Sequence, residues 1–280
     1  MKLLRVGQKG QEKPAALDKD GKIRDISSHI SDLNPDHLNF ETISKLQSAD
    51  LASLPEISSS ERIGSCITKP GKFIAIGLNF SDHAAETGAE VPSEPITFMK
   101  ATSCINGPND DIEIVSGSKK LDWEVELGIV IGKHTKHISE AQSQDHILGY
   151  CLVNDISERE WQIEKMGQWV KGKSHDTYGP IGPYLVTKDD IADINNLKMS
   201  LDVNGQRMQT GNTNTMIFNV NVIVSYLSKF MSLQPGDIIT TGTPPGVGMG
   251  MKPQQFLKAG DTMRLSIENL GEQNSKVVAL

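Results

Sequence analysis

The sequence predicts an α+β protein in which β-strands dominate. From Lys72 onward, short apolar segments recur between glycines and prolines, which is typical of strands joined by turns. Segments with helical periodicity are few and do not alternate regularly with the strands, so a doubly wound parallel sheet is disfavoured. The predicted strands are 73–77, 96–99, 125–131, 147–153, 197–203, 238–240 and 263–267, and the predicted helices are 81–88, 139–146, 157–166 and 220–231.

The chain divides into two predicted domains. Residues 1–65 form a small N-terminal domain, with a hairpin in 13–25 and helical spacing of leucine and isoleucine in 34–53. Residues 70–280 form the larger domain, which carries the candidate catalytic residues.

Charge and composition limit the function classes. The chain has 280 residues, a net charge of -7 and a pI near 5.5, which disfavours nucleic acid or an anionic membrane as a partner. Mean hydropathy is -0.31, and no apolar run approaches the roughly 18 residues that a membrane span needs. Cys66, Cys104 and Cys151 are odd in number and widely spaced, which favours free thiols in a reducing compartment and predicts a cytoplasmic protein.

The most informative segment contains Glu124 and Glu126. Apolar residues alternate through 125–131, which predicts a strand with one apolar face and places both glutamates on the opposite face. Carboxylates roughly 7 Å apart at the backbone repel each other unless a positive charge lies between them. Asp155 follows the apolar segment 147–153 and could add a third oxygen ligand. Three carboxylates suit a divalent cation such as Mg2+ or Mn2+; a solvated strand face is the alternative.

His83 and Glu86 are candidates for a general base. They lie three residues apart at the start of a predicted helix, where Ser81 or Asp82 could cap the first turn. A glutamate that orients a histidine also stabilises its protonated form. The alternative is an ordinary surface pair.

Further candidates follow Asp155. Arg159 suits a carboxylate, and Gln162, three residues later on a predicted helix, can hold a water or a carbonyl. Lys173 lies in a formal phosphate-loop match at 167–174, which we reject because no apolar strand precedes it and no helix follows; Lys173 remains a candidate cation for an anionic intermediate. The glycine- and proline-rich loop around Thr243 either approaches a ligand or forms a wide turn.

Six ordered motifs resemble the fumarylacetoacetate hydrolase family, from about Lys72 to the C-terminus. No single motif is diagnostic, and their order carries the resemblance. The motifs are G-x-N-x3-H-x2-E at 77–86, F-M-K at 98–100, E-x-E-L at 124–127, N-D-x-S-x-R at 154–159, K-S-x-D at 173–176 and T-G-T-P-x-G-V-G at 241–248.

The resemblance implies a metal site and a base. By this resemblance Glu124, Glu126 and Asp155 would bind Mg2+, with Mn2+ as a possible substitute, and His83 with Glu86 would activate water. The family fold is a mixed β roll, preceded by a small N-terminal domain and assembled as a homodimer.

The resemblance also implies the residues that meet an anionic substrate. Lys173 would stabilise a developing enolate, and Gln162 would help position water or substrate. Arg159, Thr243 and Lys100 would contact the substrate or its neighbourhood.

The implied reaction is metal-dependent cleavage of a C–C bond in a 2,4-diketo acid, which yields pyruvate and a carboxylic acid. Segments 1–14, 21–25 and 157–162 look closest to bacterial hydrolases of 2,4-diketo-3-deoxy-L-rhamnonate or L-fuconate, relatives often labelled ureidoglycolate lyase. Asn212 stands where this pattern has serine, which leaves a second substrate contact open. Two alternatives remain: an oxaloacetate decarboxylase or related 2-oxo acid lyase or isomerase, and a noncatalytic protein with a structural cation.

Overall fold

The computed structural model describes residues 1–82 and 90–280, and within them strands outnumber helices. The strands are β1 (Lys2–Val6), β2 (Lys13–Leu17), β3 (Ile23–Asp25), β4 (Glu56–Ile57), β5 (Ile63–Gly64), β6 (Phe73–Gly77), β7 (Ile96–Lys100), β8 (Ile105–Asn106), β9 (Ile112–Ile114), β10 (Leu121–Asp122), β11 (Val125–Ile131), β12 (Ile147–Asn154), β13 (Ser157–Glu158), β14 (Gly179–Pro180), β15 (Leu185–Thr187), β16 (Lys198–Val203), β17 (Gln206–Asn212), β18 (Ile238–Thr240), β19 (Thr262–Ile267) and β20 (Gly271–Ala279). The mostly β, α+β prediction is confirmed.

Helices are short throughout the described residues. The α-helices are α1 (Phe40–Gln47), α2 (Val170–Lys173) and α3 (Val220–Leu227), and a π-helix spans Glu160–Glu164. Short 3-10 helices occur at Leu51–Ser53, Thr102–Cys104, Glu140–Asp145, Lys188–Asp190, Thr213–Thr215 and Gly248–Gly250. None of the helices in residues 1–82 and 90–280 has the length and apolarity to cross a membrane.

One large mixed sheet runs through most of the chain. Its strand order is β4-β3-β2-β1-β15-β12-β11-β18-β6-β7, with β5 paired to β1. The predicted hairpin in 13–25 forms β2 and β3, and β1 continues this group by pairing with β15, where Leu3 faces Leu185. The N-terminal strands therefore extend the sheet of the larger domain, and the predicted division at 65–70 stays a prediction.

The centre of this sheet is buried on both faces. All seven residues of β11 are buried, so the predicted one-sided apolar strand is covered on its polar face as well. A second sheet, ordered β17-β16-β19-β20-β9, packs against β11 and β12 through β16, β19 and β20. Trp123 and Tyr150 are among the largest fully buried side chains of the hydrophobic core. Polar groups placed on β11 are thereby removed from water.

The predicted helix at 157–166 is wrong in its first half. Ser157 and Glu158 form β13, which pairs with β10, and helical structure begins only after Arg159, as the π-helix. The carboxylate of Glu158 explains the break, because it accepts backbone N–H groups from Lys120 at 2.8 Å and Trp161 at 2.7 Å. An acidic side chain that satisfies free amides fixes the start of a helical turn.

The other predicted helices are shorter than expected. The 139–146 segment is a 3-10 turn, and 220–231 contributes α3, which begins after Asn219, whose side chain accepts from the backbone of Asn221 and Val222. In 34–53 the α-helix α1 forms, capped by Asn39, and a 3-10 turn follows at Leu51–Ser53. The predicted helix 81–88 lies mostly outside the described residues.

Candidate metal centre and active site

Three buried carboxylates meet at one end of the β11–β12 pair. Glu124 directly precedes β11, Glu126 lies within it, and Asp155 directly follows β12. The register pairs Val125 with Asn154, and the backbone N–H of Asp155 donates to the carbonyl of Glu124 at 3.0 Å. One oxygen of each carboxylate therefore lies within 4.8 Å of the others. The structure brings together the three residues that the sequence singles out.

Two buried lysines contact this acidic cluster. Lys173 Nζ donates to Glu124 Oε2 and to Asp155 Oδ2, each at 2.7 Å. Lys100 Nζ donates to Asp155 Oδ1 and to the backbone carbonyl of Lys173. Burial lowers the pKa of Lys173, but the charges of Asp155 and Glu124 outweigh it and raise that pKa above its ordinary value. Lys173 is therefore a cation at neutral pH.

Arg159 is held by protein groups on all sides of its guanidinium. Its Nε donates to Asp122 Oδ2 at 2.8 Å, its Nη1 donates to Gln162 Oε1 at 3.0 Å, and its Nη2 lies 2.6 Å from Glu124 Oε1. The predicted substrate contact of Arg159 stays a prediction, because in this geometry the guanidinium orients Glu124 and Gln162.

Asp122 is a site residue that sequence reasoning missed. Its side chain is fully buried, and its carboxylate accepts four hydrogen bonds. The donors besides Arg159 Nε are the backbone N–H groups of Trp123, Gly248 and Met249, at 2.9, 2.7 and 3.0 Å. Asp122 thus joins Arg159 to the loop after β18. Its spacing two residues before Glu124 was the only signal in the sequence.

The glutamates of the cluster differ in proton affinity. Burial is the largest influence on both and raises the pKa of each. At Glu124 the charges of Arg159 and Lys173 outweigh burial and hold the pKa well below its ordinary value. At Glu126 the charges of Asp155 and Glu124 add to burial and raise the pKa well above its ordinary value.

The donor set fits a divalent cation. Three carboxylates are the oxygen ligands that Mg2+ and Mn2+ prefer. Glu126 receives hydrogen bonds from Thr240 Oγ1 and, at 2.9 Å, from the backbone N–H of Gly242, and both donors are neutral. The repulsion among the carboxylates, which raises the pKa of Glu126, is relieved by a bound proton or by a bound cation.

Thr243 and Gln209 tie the loop after β18 to β11. The Thr243 hydroxyl donates to the Val125 carbonyl at 2.9 Å and accepts from Gln209 Nε2 at 2.8 Å. Gln209 Oε1 accepts from the Val125 N–H at 3.0 Å. Gln209 was not singled out from the sequence, since nothing local marks it. The predicted substrate contact of Thr243 stays a prediction, and its hydroxyl hydrogen is already used within the protein.

A cavity of about 160 Å³ lies over the carboxylates. The predicted site residues that line it are Glu124, Glu126, Asp155, Arg159, Gln162, Lys173 and Thr243. Lys100 reaches the site through Asp155 rather than through the cavity wall. His83 and Glu86 lie outside the described residues. A larger hollow of about 570 Å³ beside Trp123 and Lys258 has none of the predicted site residues in its described lining.

Asn79 anchors the end of β6 beside this cavity. Its side-chain amide donates to the carbonyls of Thr241 at 2.8 Å and Phe218 at 3.0 Å, and its oxygen accepts from the Phe218 N–H at 2.8 Å. Asn212, the departure from the family pattern, instead accepts from the Asn214 N–H and donates to Asn196. The Asn212 side chain is therefore committed to local structure.

Fold and site together define a class: a mostly β protein with a buried acidic centre, opposed by a lysine, at the floor of a small cavity. Residues 72–278 match the profile of the fumarylacetoacetate (FAA) hydrolase C-terminal family, and the chain belongs to this family. The family resemblance expected from the motifs is confirmed.

Known proteins similar to this chain are named as hydrolases and isomerases. A Burkholderia ambifaria (strain MC40-6) protein, named as a candidate hydrolase, is 58% identical over 274 residues, which cover 98% of this chain and 97% of that protein. The fumarylacetoacetate hydrolase of Exiguobacterium antarcticum is 33% identical, with a TM-score of 0.88 and full coverage of both chains. Maleylpyruvate hydrolase from Sphingobium sp. SYK-6, solved with manganese(II) and pyruvate, is 27% identical, with a TM-score of 0.83 and coverage of 100% and 99%. Isomerases share the fold as well.

Proposed function

We propose that this protein is a metal-dependent hydrolase that cleaves a C–C bond in a 2,4-diketo acid, releasing pyruvate and a carboxylic acid. The observation that carries the proposal is the buried cluster of Glu124, Glu126 and Asp155 with Lys173 directly against it. The similarity to a maleylpyruvate hydrolase that binds manganese(II) and pyruvate supports it.

Glu124, Glu126 and Asp155 would hold the cation, which we propose to be Mg2+, with Mn2+ as a substitute. When bound, such a cation supplies Lewis acidity toward adjacent oxygens of a diketo acid. The Lys100 ammonium orients Asp155, and Arg159 orients Glu124, so these two cations position carboxylates. We expect this pre-organisation to keep the carboxylates in place for the ligand.

Gln162 and Lys173 supply hydrogen-bond donors on the cavity side. Arginine has only donors, so the group that Gln162 turns toward Arg159 Nη1 must be its oxygen. The Gln162 amide N–H groups are then available to an oxygen that becomes negative during the reaction. Donors fixed before the reaction stabilise such charge without reorganisation.

The proposed hydrolysis adds one water molecule across a C–C bond of the diketo acid. Water adds its oxygen to the distal carbonyl carbon, and its proton passes to a base, for which His83 and Glu86 stay the predicted residues. The bond between that carbon and the adjacent methylene then breaks. Its electron pair remains on the pyruvate fragment as an enolate, near the positive charge of Lys173, and a proton returned to the methylene carbon gives pyruvate.

The particular substrate, the cellular location and the oligomeric state are also proposals. The N-terminal motifs point to a 2,4-diketo-3-deoxy sugar acid, one of several 2,4-diketo acids that this reaction could cleave. We also propose a cytoplasmic homodimer that takes a small anionic substrate. The rival activity is decarboxylation or isomerisation of a 2-oxo acid on the same carboxylates, which the isomerases of this fold support.

The test measures pyruvate released from 2,4-dioxopentanoate with Mg2+, with Mn2+ and with EDTA, in the wild type and in Glu126→Gln. We expect metal-dependent release that falls at least 100-fold in the variant. Glu41→Gln is the control, because Glu41 is exposed and pairs with the exposed Lys45 on α1. Consumption of oxaloacetate without cleavage of any acylpyruvate would replace the proposal with the decarboxylase.

A further inference from the structure

An aromatic pair adjoins the charged floor of the cavity. The rings of Phe98 and Trp169 meet edge to face, with centroids 5.1 Å apart and an interplanar angle of 63°. Lys173 Nζ lies 5.3 Å from the centroid of the Phe98 ring. Phe98 is thus bounded by the Trp169 indole and by the ammonium group that contacts Glu124 and Asp155. Both aromatic residues line the cavity.

The position of Trp169 depends on Gly77. A Cβ atom at Gly77 would lie 2.5 Å from Trp169 Cζ3 and 2.9 Å from Cη2, so the indole lies directly against the backbone at the end of β6. Trp169 also precedes Lys173 by four residues, which places the two side chains on the same face of the turn around α2. The glycine that opens the G-x-N-x3-H-x2-E motif therefore makes room for this ring.

The described lining includes further apolar side chains. They are Ile76, Leu78, Ile163 and Met249. Two polar groups of the described lining are already engaged within the protein: the Arg159 guanidinium contacts three side chains, and the Thr243 hydroxyl donates to a backbone carbonyl. A hydroxyl group placed against the apolar surfaces of Phe98, Leu78 and Ile163 would lose water without a hydrogen-bond partner on those side chains.

We propose that Phe98 and Trp169 form a specificity wall that selects 2,4-diketo acids with a small apolar acyl group. This inference rests on the proposed function, because it assumes that the reacting carbonyl lies near Lys173 and Gln162. The acyl carbon chain then continues along the aromatic pair. The wall disfavours the hydroxylated acyl group that the sequence resemblance suggests.

The first experiment compares kcat/KM in the wild type for acetyl-, propanoyl- and butanoylpyruvate. We expect about a threefold to fourfold rise for each added methylene, as for a buried CH2 group. The second comparison adds one hydroxyl: propanoylpyruvate (2,4-dioxohexanoate) against 5-hydroxy-2,4-dioxohexanoate, the diketo form of the deoxy sugar acid. We expect the compound without the hydroxyl to be preferred by about tenfold or more.

The second experiment removes the Trp169 indole or changes its position. In Trp169→Ala the ratio of kcat/KM for butanoyl- over acetylpyruvate should fall to near one, and Trp169→Phe should restore most of it. Gly77→Ala, which displaces the indole without removing it, should lower kcat/KM for butanoylpyruvate more than for acetylpyruvate. Trp161→Ala is the matched control: this half-buried tryptophan lies on the π-helix beneath Lys165 and outside the cavity lining, so the ratio should persist.

The outcomes separate the two proposals. If no acylpyruvate is cleaved, the proposed function fails and the wall with it. If acetylpyruvate is cleaved but the chain-length series is flat, or the 5-hydroxy compound is preferred, the hydrolase stands and the specificity wall is wrong. Retention of the chain-length ratio in both Trp169→Ala and Gly77→Ala would equally overturn the wall.

Discussion

The carboxylate of Asp122 accepts the Nε–H of Arg159 at 2.8 Å, and both side chains are buried. The four groups described above that hydrogen-bond to this carboxylate are all N–H donors. An asparagine amide in its place would turn its own N–H group toward some of them. The pair therefore depends on the charge of Asp122 and not only on its shape.

Asp122→Asn should lower the free energy of unfolding by about 3 kcal/mol, as expected when one partner of a buried ion pair is removed. Urea unfolding measures this change. Asp202→Asn is the control, because Asp202 pairs with the half-exposed Arg207 at the surface, and its loss should cost no more than about 1 kcal/mol. Equal effects in the two variants would show that Asp122 does not support the site as described.

Lys173→Met should separate metal binding from catalysis. The Lys173 ammonium contacts the same carboxylates that would hold the cation, so its removal should tighten Mn2+ binding by about tenfold. The kcat for acylpyruvate cleavage should fall by about 100-fold or more, because a donor to the developing charge is lost. Calorimetric titration with Mn2+ and steady-state kinetics measure the two effects independently. Weaker Mn2+ binding would contradict the competition between lysine and cation.

Gly246→Ala should strongly destabilise the loop after β18. Gly246 has a φ of +103°, and a Cβ there would lie 1.9 Å from the backbone oxygen of Met208. We expect a loss of more than about 3 kcal/mol in the free energy of unfolding. Alanine would be strained at this φ, and the backbone at Met208 would also have to move away from the added Cβ. Gly205→Ala is the matched control: its φ of +78° is also unfavourable for alanine, but among the described residues no atom beyond its chain neighbours would lie within 4 Å of the added Cβ, so a loss of about 1 kcal/mol is expected. Similar losses of unfolding free energy in the two variants would show that the loop after β18 shifts at little cost to accommodate a Cβ at position 246.

Acid should weaken the N-terminal part of the chain through Glu12. Burial raises the pKa of Glu12, but the hydrogen bond from Arg62 and the charges of Arg5 and Arg62 outweigh it and lower the pKa below its ordinary value of 4.5. A lowered pKa in the folded state means that this stabilisation is complete above about pH 5 and is lost as the pH falls through the folded-state value. Glu12→Gln should be less stable at pH 7 and should lose less stability between pH 7 and 3. Parallel pH profiles of the unfolding free energy in variant and wild type would rule out this role.

The sequence predicted the parts of the site that depend on local pattern. Alternation in 125–131 and the apolar segment before Asp155 located the two central strands, and the antiparallel register then brings the three carboxylates together. The roles of His83 and Glu86 stay predictions.

Contacts between distant segments were not predictable in the same way. Asp122 meets Gly248 across 126 positions, and Gln209 meets Val125 across 84. Local periodicity carries no information about such pairs. The π-helix was not predicted either. Glu158 belongs to a strand, yet its carboxylate accepts the Trp161 N–H as a helix-capping side chain would, and the sequence does not show where the strand ends and the helical turn begins.

The pairing of β1 with β15 bears on how the chain is made. Lys2 and Leu3 find their partners at Val186 and Leu185, more than 180 positions later. During synthesis the first strand therefore leaves the ribosome long before β15 exists. Although β5 pairs with Arg5 and Val6, the edge of β1 at Lys2 and Leu3 stays open to other chains. Sheets assembled from such remote segments form slowly. We expect protein biogenesis, rather than the chemistry of the site, to be the stage at which this molecule is most vulnerable to aggregation.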